Sequence, residues 1–353
     1  MAFLNGNDVF ACLPTGFGKS LCYFCLQPIF DAINCHASPW SVVLVISPLQ
    51  GLMQDQVELL TKKNLASICV TGNEDSSVKT KIVSGVYQLT FTTPEVLLTK
   101  KDRRPVFQFP LVCERLVRII IDETLCVKKY QFRKEFCKLG DLRGYFSSSI
   151  NFMALTATAA LKTRKEVMRL LGMKNPITII RSLEKSNIYY SVCKKDEVGV
   201  QLSYVMDELC EHRTVTDKTI IFCRTYRDCT ELYLMFKRKW KDNIIEPPGY
   251  PVVTPFCLVD MFHACNSSSV KSGIIKSFLS DSQLRVLVAT VAFGMGIDCS
   301  DVRHIIHWGP PSDIESYIQE TGRAGRDGRQ ARVVLFYSRR DLAQPYIEED
   351  MVN

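Results

Sequence analysis

A succession of short apolar runs, each of strand length and each followed by enough chain for a helix, constrains this sequence more than any other feature. DVFACL, SVVLVIS, ASICVTG, YQLTFTT, VRIIID and NFMALTA occupy the first half, and KTIIFC, RVLVATV, VRHIIHW and ARVVLFY the second. Runs that are apolar throughout suit strands covered on both faces, and strands alternating with helices build parallel sheets. The rhythm lapses around NPITIIRSLEKSNIYYSVCKKDEVG and then restarts. At 353 residues the chain is too long for one ordinary core. The expectation is an α/β protein with domains at 1–184 and 185–344 and a tail at 345–353. NIIEPPGYPVVTP (243–255) reads as a Pro-rich surface insertion in the second domain.

Composition excludes several classes. With 46% hydrophobic and 23% charged residues the chain is neither disordered nor fibrous. No apolar run approaches the ~20 residues of a membrane span, and MAFLNGND lacks the basic and apolar regions of a signal peptide. The expected location is inside the cell, not secreted and not in a membrane. The cysteines (Cys12, Cys69, Cys113, Cys223 and Cys299 among them) fall in apolar segments without repeated spacing, which suits reduced core residues. Cys22 and Cys25 form a CxxC with no second pair at finger spacing, which argues against zinc. Residues 1–180 hold 22 Lys and Arg against 14 Asp and Glu, whereas 181–353 hold 22 against 23. The basic excess therefore lies in the first half, compatible with a polyanionic partner.

The strand DVFACL runs into PTGFGKS and then the apolar stretch SLCYFCLQPIF, which predicts a single helix. A glycine-bearing loop between strand and helix can curl its N–H groups around phosphate oxygens, with the helix start facing the same anion. The strict GxxxxGK[ST] pattern fails, because position 13 is Leu, but a shorter TGxGKS form remains. Thr15, Gly16, Phe17, Gly18, Lys19 and Ser20 form this candidate nucleotide loop. Lys19 is placed to reach the β- and γ-phosphates and Ser20 to ligate Mg²⁺. IIIDETLCV then supplies the acids that such a loop requires, with Asp122 for Mg²⁺ and Glu123 as the general base for water.

Near the other end, SYIQETGRAGRDGR places Arg323 and Arg326 three apart, the spacing of one helical face. Gly322 and Gly325 leave both open to an anion. Arginines delivered from a second domain can neutralise charge as a phosphoryl group transfers. After the acids, CVKKYQFRKEFCK interleaves Lys128, Lys129, Arg133 and Lys134 with Tyr130, Phe132 and Phe136. Cations that track phosphates beside aromatics that stack on bases suit single-stranded nucleic acid; an amphipathic helix with buried aromatics is the other reading.

Taken in order, PTGFGKSLCY, ISPLQGLMQDQV, TTPEVLL, IIIDETLCV, FMALTATA, IIFCRT, FHA, VATVAFGMGID and IQETGRAGRDG resemble the motifs of RecQ-type DNA helicases of superfamily 2 across nearly the whole chain. The resemblance implies two RecA-like domains with ATP between them, 3'-to-5' movement on single-stranded DNA, forked DNA as a partner, and a nuclear or otherwise cytoplasmic location. It places Gln319, Arg323 and Arg326 at the ATP cleft and Asp298 near the nucleotide. Thr156 and Thr158 would couple the domains. Tyr130, Phe132 and Arg133 would sense DNA, and Cys223, Arg224, Thr225 and Thr290 would contact its backbone. The chain departs from the family at DETL, where Leu125 stands for the histidine of DEAH, and in a shorter aromatic loop with Tyr130 where Trp is usual. The adenine-recognising segment upstream and the family's zinc, winged-helix and HRDC modules are not found in the sequence. A degenerate helicase that binds ATP and DNA without coupling them is a rival expectation. A small-molecule P-loop kinase is another, resting on PTGFGKS alone.

Overall fold

The computed structural model describes the chain apart from residues 37–39, 49, 99–109, 125–137, 148, 241–243, 252, 295–298, 345–346, 348–350 and 352–353. It divides into two units, Met1–Leu183 and Glu184–Asn353. The first is built on a sheet of order β3-β4-β2-β5-β6-β1-β7, comprising β1 (Val9–Cys12), β2 (Val42–Ile46), β3 (Ser67–Val70), β4 (Leu89–Thr92), β5 (Leu116–Ile121), β6 (Asn151–Thr156) and β7 (Ile177–Ile180). The second has order β10-β11-β9-β12-β13-β8, from β8 (Ile188–Lys194), β9 (Lys218–Cys223), β10 (Val259–Phe262), β11 (Val286–Thr290), β12 (Val302–Trp308) and β13 (Ala331–Tyr337). Every neighbouring pair in both sheets is parallel. Both sheets are flanked by helices, as the alternating pattern predicts, and the arrangement is that of the two RecA-like domains implied by the resemblance.

Uniformly apolar strands are explained by burial on both faces. Phe10, Leu44, Ile46, Ile119 and Ile121 enter one core of the first unit, and their neighbours Val9, Val43, Val45 and Ile120 enter the other. The second unit repeats this, with Ile221, Val288 and Ile306 on one side and Ile220, Leu287 and Ile305 on the other. Just before β1, the buried Asp8 accepts hydrogen bonds from Phe152 N (2.9 Å) and Lys174 N (2.7 Å) and pairs with Arg143. That carboxylate ties β1, β6 and the return to β7 together.

The structure corrects four expectations. The lapse between the halves contains β7 and β8, each an edge strand with one neighbour, whose short apolar runs ITII and IYYSV are set among polar residues. β10 (VDMF) also escaped the pattern, since an acid interrupts it. The single helix expected after the loop is two, α1 (Leu21–Phe24) and α2 (Leu26–Ile33), separated at Cys25. Pro28 is the cause, because it lacks the N–H that would bond the Phe24 carbonyl and its ring would meet that carbonyl in a continuous helix. In the 243–255 stretch Gly249 and Tyr250 are exposed, while Ile244 and Ile245 are buried in the core. Among the described residues the cysteines are free thiols, no helix is long and apolar enough to cross a membrane, and no cluster of His, Cys, Asp and Glu could hold a metal by itself.

Candidate nucleotide site and nucleic-acid edge

Parallel pairing puts the C-terminal ends of β1, β5 and β6 on one edge of the first sheet, the edge where such sheets bind ligands. Beyond β1, Gly16 and Gly18 adopt φ of +83° and +80°. A Cβ at either would meet nothing within 4 Å, so the backbone conformation, not space, demands glycine. Lys19 Nζ lies back over the loop and donates to Leu13 O at 3.3 Å. Ser20 occupies the position before α1 without a side-chain capping bond, with Thr15 partly covered before it and Phe17 exposed at the loop tip.

Asp122 continues the β5 ladder, its N–H donating to Ile46 O at 2.9 Å. The carboxylate is buried and accepts from Glu123 N (3.0 Å) and the Tyr23 hydroxyl (3.4 Å). Burial first, then the negative charge of Glu123, push its pKa up to about 7; the Lys19 ammonium opposes them. The fully enclosed Tyr23 phenol is itself raised well above its ordinary value, first by burial and then by Asp122. Tyr23 also lies 3.3 Å from Gln56 Oε1, on α3 (Gln50–Lys62). Glu123 takes φ of +51°, a left-handed conformation uncommon outside glycine and a form of strain that clusters at functional sites.

The end of β6 bridges loop and acids. Leu13 N donates to Thr156 O (3.0 Å), and on the other side Thr124 N and Oγ1 both donate to Leu155 O (2.9 and 3.1 Å). Thr156 and Thr158 are buried, the Thr156 hydroxyl donating to Thr158 O at 2.8 Å.

In the second unit, Cys223 and Thr290 end β9 and β11 on one sheet edge. The Cys223 side chain packs in the core, its thiol pushed well up by burial and then by Cys229. Arg224 donates to Pro310 O (3.3 Å), and Thr225 caps the following helix α4 (Tyr226–Trp240) by accepting from Asp228 N (3.0 Å). Gln319 sits on α5 (Ile314–Thr321), partly covered.

The arginines do not share a helical face. The helix α5 stops at Thr321, and Arg323 and Arg326 follow in a chain of turns, with Arg323 N donating to Glu320 O (3.2 Å) and Ala324 N to Thr321 O (3.0 Å). Gly325, at φ +54°, turns the chain so that its N–H reaches Val302 O at 3.0 Å. Asp298, Tyr130, Phe132, Arg133 and Leu125 lie outside the described residues.

Comparisons with known proteins agree with this geometry. The DEAD/DEAH box helicase model matches residues 1–167, and the helicase conserved C-terminal domain model matches residues 201–328. ATP-dependent DNA helicase hus2/rqh1 of Schizosaccharomyces pombe is 32% identical over 346 residues, 96% of this chain and 24% of that protein. ATP-dependent DNA helicase RecQ of Haemophilus influenzae is 33% identical over 349 residues, 97% of this chain and 50% of that protein. The chain is similar to RecQ-type helicases along nearly its whole length. It spans a quarter to a half of the length of these RecQ relatives. Solved structures share the fold: DUF1998 helicase MrfA bound to DNA has a TM-score of 0.73 at 18% identity, covering 96% of this chain and 47% of that one. Mycobacterium smegmatis helicase Lhr bound to ssDNA and AMP-PNP has 0.70 at 23%, covering 97% and 45%.

Three residues of this site were absent from the sequence reading. Tyr23 and Gln56 stand behind Asp122, and Thr124 anchors the acid box to β6. The signal for Tyr23 was available: it lies three residues beyond Ser20, on the same side of the first helical turn. Gln56 carried no such signal, because only the fold brings it near. A buried pair, His307 Nε2 and Glu320 Oε2 at 2.8 Å, also ties β12 to the helix before the arginines.

Proposed function

We propose that the chain is an ATP-dependent DNA helicase motor that moves 3'-to-5' along single-stranded DNA and opens forked duplexes. One observation carries the reading: in a chain similar to RecQ-type helicases, the Lys19 loop, buried Asp122 and strained Glu123 converge on a single sheet edge, with Lys19 acting on Asp122 electrostatically. Thr15 to Ser20 cradle the triphosphate with backbone N–H groups, and Lys19 exchanges the Leu13 carbonyl for the β- and γ-phosphates. A buried carboxylate together with a serine hydroxyl is an oxygen donor set that fits Mg²⁺, an ion that takes few protein ligands. Ser20 and Asp122 would hold it, and Mg²⁺ when bound supplies positive charge to the phosphate oxygens. Tyr23 orients Asp122. Glu123 takes the proton from the attacking water, and Arg323 and Arg326, with Gln319, stabilise the transferring group. Asp298 completes the nucleotide contacts.

On the DNA side, Tyr130, Phe132 and Arg133 engage bases and phosphate, while Cys223, Arg224, Thr225 and Thr290 follow the backbone. Thr156 and Thr158, at the strand end bonded toward both loop and acids, relay nucleotide state. A DNA substrate puts the chain in the nucleus of a eukaryotic cell or in the cytoplasm of a bacterial one. The test is strand displacement by the full chain with ATP and Mg²⁺ on duplexes carrying a 3' or a 5' single-stranded tail. Release of the 3'-tailed strand alone, absent with Lys19→Ala, is expected; equal release from both, or none, rejects directional unwinding. Leu125 in DETL favours a second reading, a chain that binds ATP and DNA without coupling them, and ATP affinity with no DNA-dependent turnover would select it.

A further inference from the structure

The chain enters its second unit at Glu184, and the residues that follow grip the turn carrying the two arginines. Lys185 Nζ donates to Gly322 O (2.8 Å) and Ala324 O (3.4 Å). Asn187 Nδ2 donates to Gly325 O (2.8 Å) and Arg329 O (2.7 Å), and its own carbonyl accepts from Ala331 N (2.9 Å). Gly322 and Ala324 flank Arg323, while Gly325 and Arg329 lie on either side of Arg326. The grip is close: a Cβ at Gly325 would come within 2.4 Å of Asn187 Nδ2 and 2.8 Å of Arg329 O. Between β7, the neighbour of the strand that feeds the phosphate loop, and Asn187 there are only residues 181–186.

A helix-end lysine that satisfies terminal carbonyls is the ordinary explanation for Lys185. It leaves the location unexplained. Burial and then the charge of Arg326 pull the Lys185 ammonium down to about 8, so this cation sits where a neutral donor would be cheaper. Asn187 needs a separate account, since it bonds the far side of the turn and not the helix end.

We propose that Lys185 and Asn187 are positioning residues that hold Arg323 and Arg326 in the geometry required for phosphoryl transfer. The proposal rests on the ATP-hydrolysing reading above. A 1 Å displacement of a charged group can cost about 10²-fold in rate without touching ground-state binding. Loss of either grip should therefore lower kcat and leave nucleotide affinity alone.

The test uses the full chain with saturating single-stranded DNA, comparing Asn187→Ala, Lys185→Met and the conservative Lys185→Arg with the parent and with Arg323→Ala. In Asn187→Ala and Lys185→Met, kcat for ATP hydrolysis should fall at least ~10-fold with KM for ATP within ~2-fold, while Lys185→Arg keeps most of the rate. Amide exchange should quicken at residues 322–329 and stay unchanged in β12 and β13. A full rate in Asn187→Ala beside a dead Arg323→Ala overturns the positioning role alone. A raised KM at unchanged kcat, or exchange that quickens throughout the unit, also overturns it. A parent without ATP hydrolysis, or an Arg323→Ala as active as the parent, overturns the underlying reading as well.

Discussion

The phosphate loop of the first unit and the arginine turn of the second are both short, glycine-bearing and basic, yet they are held in opposite ways. The loop is a local object: Gly16 and Gly18 take left-handed conformations, nothing crowds them, and Lys19 bonds a carbonyl six residues back. The turn is a long-range object, gripped by Lys185 and Asn187 from more than 130 residues earlier in the chain and backed by His307 through Glu320. On the proposed reading, a loop that wraps a flexible triphosphate gains from freedom, whereas arginines that meet a transition state gain from being fixed in advance.

That contrast can be broken or sharpened by substitution. The largest effect is expected from Lys19→Ala and Glu123→Gln, which should lower ATP turnover by ~10²- to 10⁴-fold without moving the unfolding midpoint of either unit; steady-state kinetics beside thermal melts will read both. Next comes Asp8→Ala, which strands the partly buried Arg143 and the N–H groups of Phe152 and Lys174. It should destabilise the first unit by about 3–5 kcal/mol and leave the second intact, as followed by urea titration with amide exchange in each unit.

A smaller effect belongs to Gly325→Ala. Its methyl group meets Asn187 and a backbone oxygen at a positive φ, so the second unit should lose about 2–4 kcal/mol, against about 1 kcal/mol for Gly328→Ala, which carries the left-handed strain without the crowding. Gly328 shares the positive φ of +83°, so crowding is the difference the melting temperatures would report.

The smallest is a pH effect. The folded-state pKa of Lys185, about 8, lies below its ordinary 10.5, so between those values the unfolded chain holds more protons. The Lys185 contribution to stability must then rise with pH across that window. Relative to Lys185→Met, the parent should gain stability from pH 7.5 to 10, by well under ~1 kcal/mol because the group is only half-buried and screened. Denaturant midpoints at the two pH values give the sign.

Much of this was readable from local pattern. VVLVI, IIFC and VLVAT are buried on both faces, so they announced themselves as parallel strands, and PTGFGKS announced a tight loop because its glycines act within it. What escaped depends on distant partners. β7 (ITII) and β8 (IYYSVCK) are edges whose short apolar runs sit within mixed polar sequence, so they did not stand out as strands. Tyr23 and Gln56 matter only because α1 and α3 pack toward the end of β5. Arg323 and Arg326 were read on a helix because three-residue spacing suits one, but Gly325 and the grip of Asn187 make that segment a turn.

The central claim, that the loop and the turn serve one engine, is tested most directly by ATP hydrolysis of the full chain with and without single-stranded DNA, in the parent and in Arg323→Ala. The account predicts strong stimulation by DNA in the parent and its loss in Arg323→Ala, with ATP still bound. A parent rate indifferent to DNA, or an Arg323→Ala as fast as the parent, would contradict it.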